Sequence, residues 1–292
     1  MISENLLDAI RSVLSEKRSQ KIEIRKQSPV SGGDINRAYK IDSNVGDFFI
    51  KLNHSGRFPA MFEKEAKGLQ LLADRGEINV PDVVGSGVHE EEAFLILKHI
   101  GSAPMKADFW EIFGHKLARM HQHGNELFGL DHDNYIGSLP QSNTFHQRWV
   151  SFFIEERLEK QLKMARDDGK INTGLIKSFE KLYKRLPEIF PEEPPALLHG
   201  DLWSGNFMVD QKGDPCLIDP AVYYGHREMD LGMSHLFGGF DREFYSAYHD
   251  EYPLEKSWRD RTDICNLYPL MVHVNLFGGS YVQSVSRIIN KF

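Results

Sequence analysis

Between Leu197 and Asp219 the chain reads LLHGDLWSGNFMVDQKGDPCLID, and no other stretch constrains the fold as tightly. Leu197 and Leu198 lead as a strand into a loop of small and polar residues. Strand-like residues resume around 207–210, Lys212-Gly213-Asp214 supply a turn, and a second short strand returns around 216–218. A hairpin of this length carries Asp219 back beside the loop that holds Asp201 and Asn206. The pattern thus converges three oxygen-bearing side chains, the donor type that suits a hard cation such as Mg²⁺.

The chain on either side changes character once. Residues 2–17 have helical spacing. Residues 21–30, 37–42 and 46–52 read as strands, with SGGDIN at 31–36 as the turn between the first two. A helix is predicted over 59–74, starting near Pro59, and two more strands over 82–88 and 93–98. After Gly101 come long helical patterns over 107–123, 145–167 and 171–187, stopped by Pro191, Pro194 and Pro195. The last part of the chain is again mostly helical. The predicted class is α+β, with a β-rich lobe over 1–98 and a larger α-rich lobe over 99–292. A length of 292 residues with 41% hydrophobic content supports that division. Ligands favour seams of the kind expected near 98–103.

Charge and cysteine usage exclude several classes. The net charge is −7, with acids spread along the chain, so neither nucleic acid nor an anionic membrane is an expected partner. No apolar run reaches the roughly 20 residues of a membrane span. The start, MISENLLDAIRSVL, is amphipathic and lacks the order of a secretion signal. Two cysteines, Cys216 and Cys265, form no disulfide framework or zinc motif, which points to a reducing, cytoplasmic setting. His115, His121 and His123 crowd one helix, but His121 and His123 are two apart and face different ways, so no metal site is expected there. The charged stretch 155–170 reads as a solvated helix. The aromatics at 145–153 read as core or inter-lobe packing, with an acceptor pocket as the alternative.

The spacing of the loop matches a phosphoryl-transfer template. There an Asp accepts the proton of the attacking hydroxyl, an Asn five residues later holds a metal, and an Asp after the next strand holds the bridging metal. Asp201, Asn206 and Asp219 stand at those places. Gly200 and Gly205 permit a tight backbone, and His199 is expected to brace the loop. A nucleotide site also needs a phosphate-cradling turn, a lysine and an acid. Gly32, Gly33, Asp34 and Asn36 supply the turn, and Lys51 in the strand IKL is the lysine. Glu65 is the expected partner of Lys51, with Glu63 as the fallback. Backbone groups of Lys98, His99 and Ile100 are expected to meet adenine. Taken singly, each feature has a plainer reading: a hairpin turn, a solvated lysine, an acidic turn. Their order along one chain favours the nucleotide site.

At this point the chain resembles the fructosamine kinase (ketosamine-3-kinase) family, a branch of the aminoglycoside-phosphotransferase-like kinases. The resemblance rests on GGDINRAY at 32–39, HGDLWSGN at 199–206 and IDPAVYYGHREMDLGMSHLFGGF at 218–240. LARMHQHGNELFGLDHDNYIGSLPQSN at 117–143 and NLYPLMVHVNLFGGSYVQSVSRII at 266–289 agree with it. It implies a bilobal protein-kinase-like fold. It also implies ATP- and Mg²⁺-dependent phosphorylation of the 3-hydroxyl of ketoamines, either free or on protein lysines. The product breaks down and frees the amine, a deglycation activity. Bacterial-type members of the family favour ribulosamines or erythrulosamines.

By the same resemblance Trp203 lies beside the acceptor, as a sugar-packing face or a structural residue, and Asp230 braces the catalytic loop. His226, Arg227 and Glu228 either line the acceptor site or stabilise the segment after Asp219. The short Asp219–Asp230 distance in sequence, and HGD in place of HRD, argue against a regulated protein kinase. Lys98 departs from an acid common among relatives, and the phosphate turn lacks a cysteine that some relatives carry. The alternatives are a kinase of another small alcohol (aminoglycoside, choline or sugar) and a pseudokinase that only binds. A monomer is favoured.

Overall fold

The computed structural model describes residues 1–31 and 35–292. Helix α1 (Glu4–Arg18) starts at Ser3, whose hydroxyl accepts the Leu6 N–H, and buries Leu6, Leu7, Ile10 and Leu14. Strands β1 (Ile24–Val30), β2 (Arg37–Ser43) and β3 (Gly46–His54) follow, then helix α2 (Met61–Arg75) and strands β4 (Val83–His89) and β5 (Glu92–Lys98). They form one sheet in the order β1-β2-β3-β5-β4, antiparallel throughout. The central strand β3 alternates. Phe48, Ile50 and Leu52 enter the core under α1, together with Ile41, Phe94 and Ile96. Lys51 and Asn53, also buried, take the other face.

The chain continues through α3 (Phe109–Gln122), β6 (Asn134–Ile136), β7 (Leu139–Gln141) and α4 (Trp149–Phe152). A π-helical turn, Phe153–Leu158, joins α4 to α5 (Glu159–Asp167), and α6 (Thr173–Ile189) follows. Then come β8 (Ala196–Leu198), β9 (Phe207–Val209), β10 (Pro215–Leu217) and β11 (Tyr223–Gly225). The chain ends with α7 (Glu228–Ser234), α8 (Arg242–Glu251), α9 (Trp258–Cys265), α10 (Leu267–Phe277) and α11 (Ser280–Ile289).

The helix expected over 145–167 therefore begins only at Trp149 and is interrupted by the π turn. That turn carries Arg157, a fully buried cation. Its guanidinium lies 3.9 Å from the Tyr223 ring centroid and donates to Asn143 Oδ1 at 2.8 Å. The pairs β6–β7 and β8–β11 have no counterpart in the sequence reading, because three-residue strands are too short to show a period.

The chain packs as two compact units, Met1–Ala107 with Met208–Asp219, and Asp108–Phe207 with Pro220–Phe292. The sequence boundary at 98/99 differs from this division, most of all over 208–219. Those residues are held in the first unit by specific bonds. Leu217 N–H donates to the Asn79 carbonyl at 2.8 Å, Asn79 Nδ2 to Asp210 at 2.9 Å, and Lys106 Nζ pairs with Asp214 at 2.6 Å. In the second unit α3 lies hard against α8: a Cβ on Gly114 would stand 2.2 Å from the Phe244 carbonyl oxygen. Among the described residues no helix is long and apolar enough to cross a membrane.

Candidate active site

In the second unit, the loop after β8 is held from below by one carboxylate. Asp230, in the first turn of α7, accepts the N–H of His199 at 2.7 Å and of Gly200 at 2.9 Å. Its Oδ2 also lies 3.2 Å from His121 Nε2, and His121 Nδ1 lies 2.8 Å from the Tyr248 hydroxyl. A carboxylate only accepts, so His121 Nε2 is the donor in its bond to Asp230. All four of His199, Asp230, His121 and Tyr248 are buried. A buried, fully bonded chain of this kind fixes a loop rigidly.

The backbone of the loop needs its glycine. Gly200 has φ +83°, and a Cβ there would sit 2.1 Å from the Ala221 carbonyl oxygen. His199 Nδ1 accepts the Asp201 N–H at 3.2 Å. Asn206 donates through Nδ2 to both the Asp201 carbonyl and carboxylate, each at 2.8 Å. That double bond pattern sets the amide orientation and leaves Oδ1 as the face for a cation. The Trp203 ring covers Gly205, where a Cβ would come within 2.4 Å of it. Trp203 also meets Phe237 edge-on at 6.0 Å.

The first unit holds a second grouping. Lys51 Nζ lies 2.6 Å from Glu65 Oε1 and 2.5 Å from Asp219 Oδ1. Glu65 follows Met61 by four residues and Phe62 by three, so it shares the buried face of α2; Glu63 is exposed. Burial opposes the Lys51 charge, but Glu65 and then Asp219 more than offset it, and the Lys51 pKa lies above the ordinary lysine value. Burial pushes the Glu65 carboxyl upward, and Lys51 only partly counters it. Asp219 has φ +55°, a left-handed conformation costly for a residue with a side chain, and its side chain is 47% exposed. Asn36 accepts a bond from Asn53 Nδ2 at 3.3 Å on the same face of β3 as Lys51.

The remaining candidates sort by burial and partner. Gly32, Gly33 and Asp34 lie outside the described residues. Lys98 N–H donates to the Asp82 carbonyl and His99 N–H to the Asp47 carbonyl, so both donors are committed within the sheet. The Lys98 side chain is exposed and pairs with Asp82 at 3.4 Å. Burial, then Lys40, lowers the His99 pKa. Arg227 binds Glu193 through two bonds of 2.8 and 2.7 Å, and Glu228 binds Arg261 through two of 2.7 and 2.6 Å. His226 is fully buried against Trp149 and Phe190. These three side chains are occupied in packing and ion pairs.

His121 and Tyr248 were missed as loop supports. His121 lies 109 positions from Asp230 and 127 from Tyr248, so the chain of bonds leaves no local spacing signal.

Asn206 Oδ1 in the second unit and the Asp219 carboxylate in the first are each oxygen donors of the hard type that Mg²⁺ prefers.

The chain matches the family model described as fructosamine kinase over residues 6–292. It is 40% identical over 285 residues to a probable ketoamine kinase of Enterococcus faecium, covering 97% of this chain and 99% of the relative. It is 38% identical over 291 residues to the chloroplastic protein-ribulosamine 3-kinase of Arabidopsis thaliana, covering 98% and 87%. A solved structure of a candidate fructosamine-3-kinase from Haemophilus somnus superposes with a TM-score of 0.88 at 33% identity, over 97% of this chain and 96% of that one. An aminoglycoside phosphotransferase solved with AMP-PNP and hygromycin B shares the fold, with a TM-score of 0.59 at 13% identity over 97% and 98% of the two chains. The fold is therefore α+β and protein-kinase-like, the activity is phosphoryl transfer to an alcohol group, and the chain belongs to the fructosamine kinase family.

Proposed function

We propose that this chain transfers the γ-phosphoryl group of ATP to the 3-hydroxyl of a ketoamine, a ribulosamine or fructosamine, free or on protein lysines. The names of its relatives support the acceptor class, one of them a ribulosamine 3-kinase. The observation that carries the reading is Lys51, a buried ammonium held by Glu65 and Asp219. A lysine positioned in this way is what a grip on nucleotide phosphates requires, and a chain that had lost turnover would have no need to keep it.

In this reading Asp201 aligns the sugar hydroxyl and accepts its proton. Its bond from Asn206 keeps the carboxylate in one orientation. Lys51 faces the ATP phosphates, and Asn36 stands on the same face of the sheet. Ile100 offers adenine its backbone, since the Lys98 and His99 donors are committed. Asn206 and Asp219 would hold Mg²⁺, which supplies neutralisation of phosphate charge. The protein contributes position and fixed charge rather than covalent chemistry. A 3-phosphorylated ketoamine eliminates readily, so the cellular consequence is deglycation, in the cytoplasm.

The test is Mg²⁺-dependent ATP consumption with ribuloselysine and fructoselysine, against an aminoglycoside and choline. Turnover is expected on the ketoamines alone. Turnover only on a control would discard the acceptor, and ATP binding with no turnover on any of them would make the chain a nucleotide-binding module.

A further inference from the structure

The tetrapeptide Leu-Phe-Gly-Gly occurs twice, at 236–239 and 276–279. The fold brings both copies to one histidine. Phe237 lies 5.0 Å from the His273 ring and Phe277 lies 5.6 Å from it. Both glycine pairs have positive φ: +115° and +73° in the first, +66° and +60° in the second. Both phenylalanines stay open to solvent, 42% and 57% exposed. Phe237 is itself left-handed at φ +57°, an outlier for a bulky residue. Core packing does not account for an aromatic side chain held outward at a backbone cost. Strain of this kind gathers where a ligand is gripped.

Phe237 connects two places in the second unit. On one side its ring meets Trp203, whose N–H bonds to the Asp201 carbonyl at 3.2 Å. On the other it lines a cavity of about 360 Å³ against α11. Ser280, Ser284 and Arg287 also line that cavity. They follow at i, i+4 and i+7 and so share one face of α11, while Val285, Ile288 and Ile289 are buried. Among the described residues no carboxylate pairs with Arg287, whereas Lys291, one turn on, is neutralised by Asp263 at 2.5 Å. The cavity therefore offers the Ser280 and Ser284 hydroxyls and the Arg287 guanidinium, next to an aromatic that touches the catalytic loop; the acid that also lines it, Asp263, is taken up by Lys291, so the Arg287 charge is left over. A guanidinium fork with hydroxyls beside it is a carboxylate receptor.

Resting on the function proposed above, we propose that this cavity holds the amino-acid end of a ketoamine formed on a free amino acid, with the substrate α-carboxylate facing Arg287. The cavity is of a size for one amino-acid group, and Phe237 packs against the alkyl chain that leads back to the sugar. A lysine inside a protein chain has no α-carboxylate to present. The site thus selects low-molecular-weight ketoamines over glycated proteins.

The experiment compares Nε-ribulosyl-lysine with its C-terminal amide, using the full chain with ATP and Mg²⁺. Both carry the same reacting sugar. The expected KM is about tenfold lower for the acid, from one charge-assisted contact. Arg287→Gln should raise KM for the acid to that of the amide, and Arg287→Lys should restore part of the difference. Arg287 is exposed, so folding is not at risk. Equal KM values for acid and amide, or an equal rise for both in Arg287→Gln, would overturn this inference alone. Absence of turnover on both, with ATP still bound, would overturn the proposed acceptor and this site with it.

Discussion

Two kinds of buried charge coexist in this protein, and they differ in how completely they are closed. Arg227–Glu193 and Arg261–Glu228 are fork-to-carboxylate pairs in the second unit, with both partners sheltered and further carbonyls of Tyr252 and Pro253 on Arg227. The Lys51 grouping in the first unit is open on one side, because Asp219 is about half exposed and its backbone is strained. A closed pair holds structure, since every donor and acceptor is consumed. An open one keeps charge in reserve for a ligand. The difference separates the candidates: Arg227 and Glu228 have the closed environment, Lys51, Glu65 and Asp219 the open one.

Substitutions can break that contrast, and the largest effect is expected outside both groupings. Asp201→Asn should lower kcat by about 10³-fold, the scale of a lost general base, while ATP affinity and the melting temperature stay put. Normal turnover would remove Asp201 from its role. Next comes the closed type. Glu228→Ala leaves Arg261 without its partner and should cost about 3–5 kcal/mol of stability, as broken buried pairs do. Chemical denaturation reads this, and a loss under about 1 kcal/mol would show the pair to be less closed than it looks.

Lys51→Met tests the open type. It should reduce kcat/KM for ATP by about 10²-fold with a stability change well below that of Glu228→Ala. An equal loss of stability would erase the distinction.

The smallest effect concerns pH. Burial alone would push the Glu193 carboxyl up, but the Arg227 bond, with His226 and Arg227 charge, holds it below the ordinary carboxylate value. A depressed folded pKa contributes stability above the unfolded value and loses it as pH falls through the folded one. Stability should therefore decline on acidification below the ordinary glutamate range. Glu193→Gln should flatten that acid limb, and identical limbs in the two proteins would refute the assignment.

The residues of the loop were legible because their spacing is covalent. Asp201 and Asn206 lie five apart on one tight turn, and their bond follows from that turn. Lys51 and Glu65 were legible for a related reason: strand alternation and helix periodicity each expose one face, and the charged residues on those faces meet at 2.6 Å. The support of the loop was not legible. Asp230 could be named only by resemblance, and its contacts to His121 and through it to Tyr248 join residues more than a hundred positions apart. The unit boundary failed in a similar way. Residues 208–219 follow the loop in sequence, yet Asn79 and Lys106 claim them for the first unit.

By itself, the sequence determined the order of β-rich and α-rich parts, the loop chemistry and the family. Hydrophobic period, turn residues and motif spacing are short-range properties written along the chain. Only the tertiary structure decided which buried charges are closed and which open, what braces Asp201 from below, and that two Leu-Phe-Gly-Gly turns meet at His273. Those outcomes depend on which distant groups share a desolvated space. There an unpaired charge or polar atom is costly enough to choose its partner, and no local pattern records that choice.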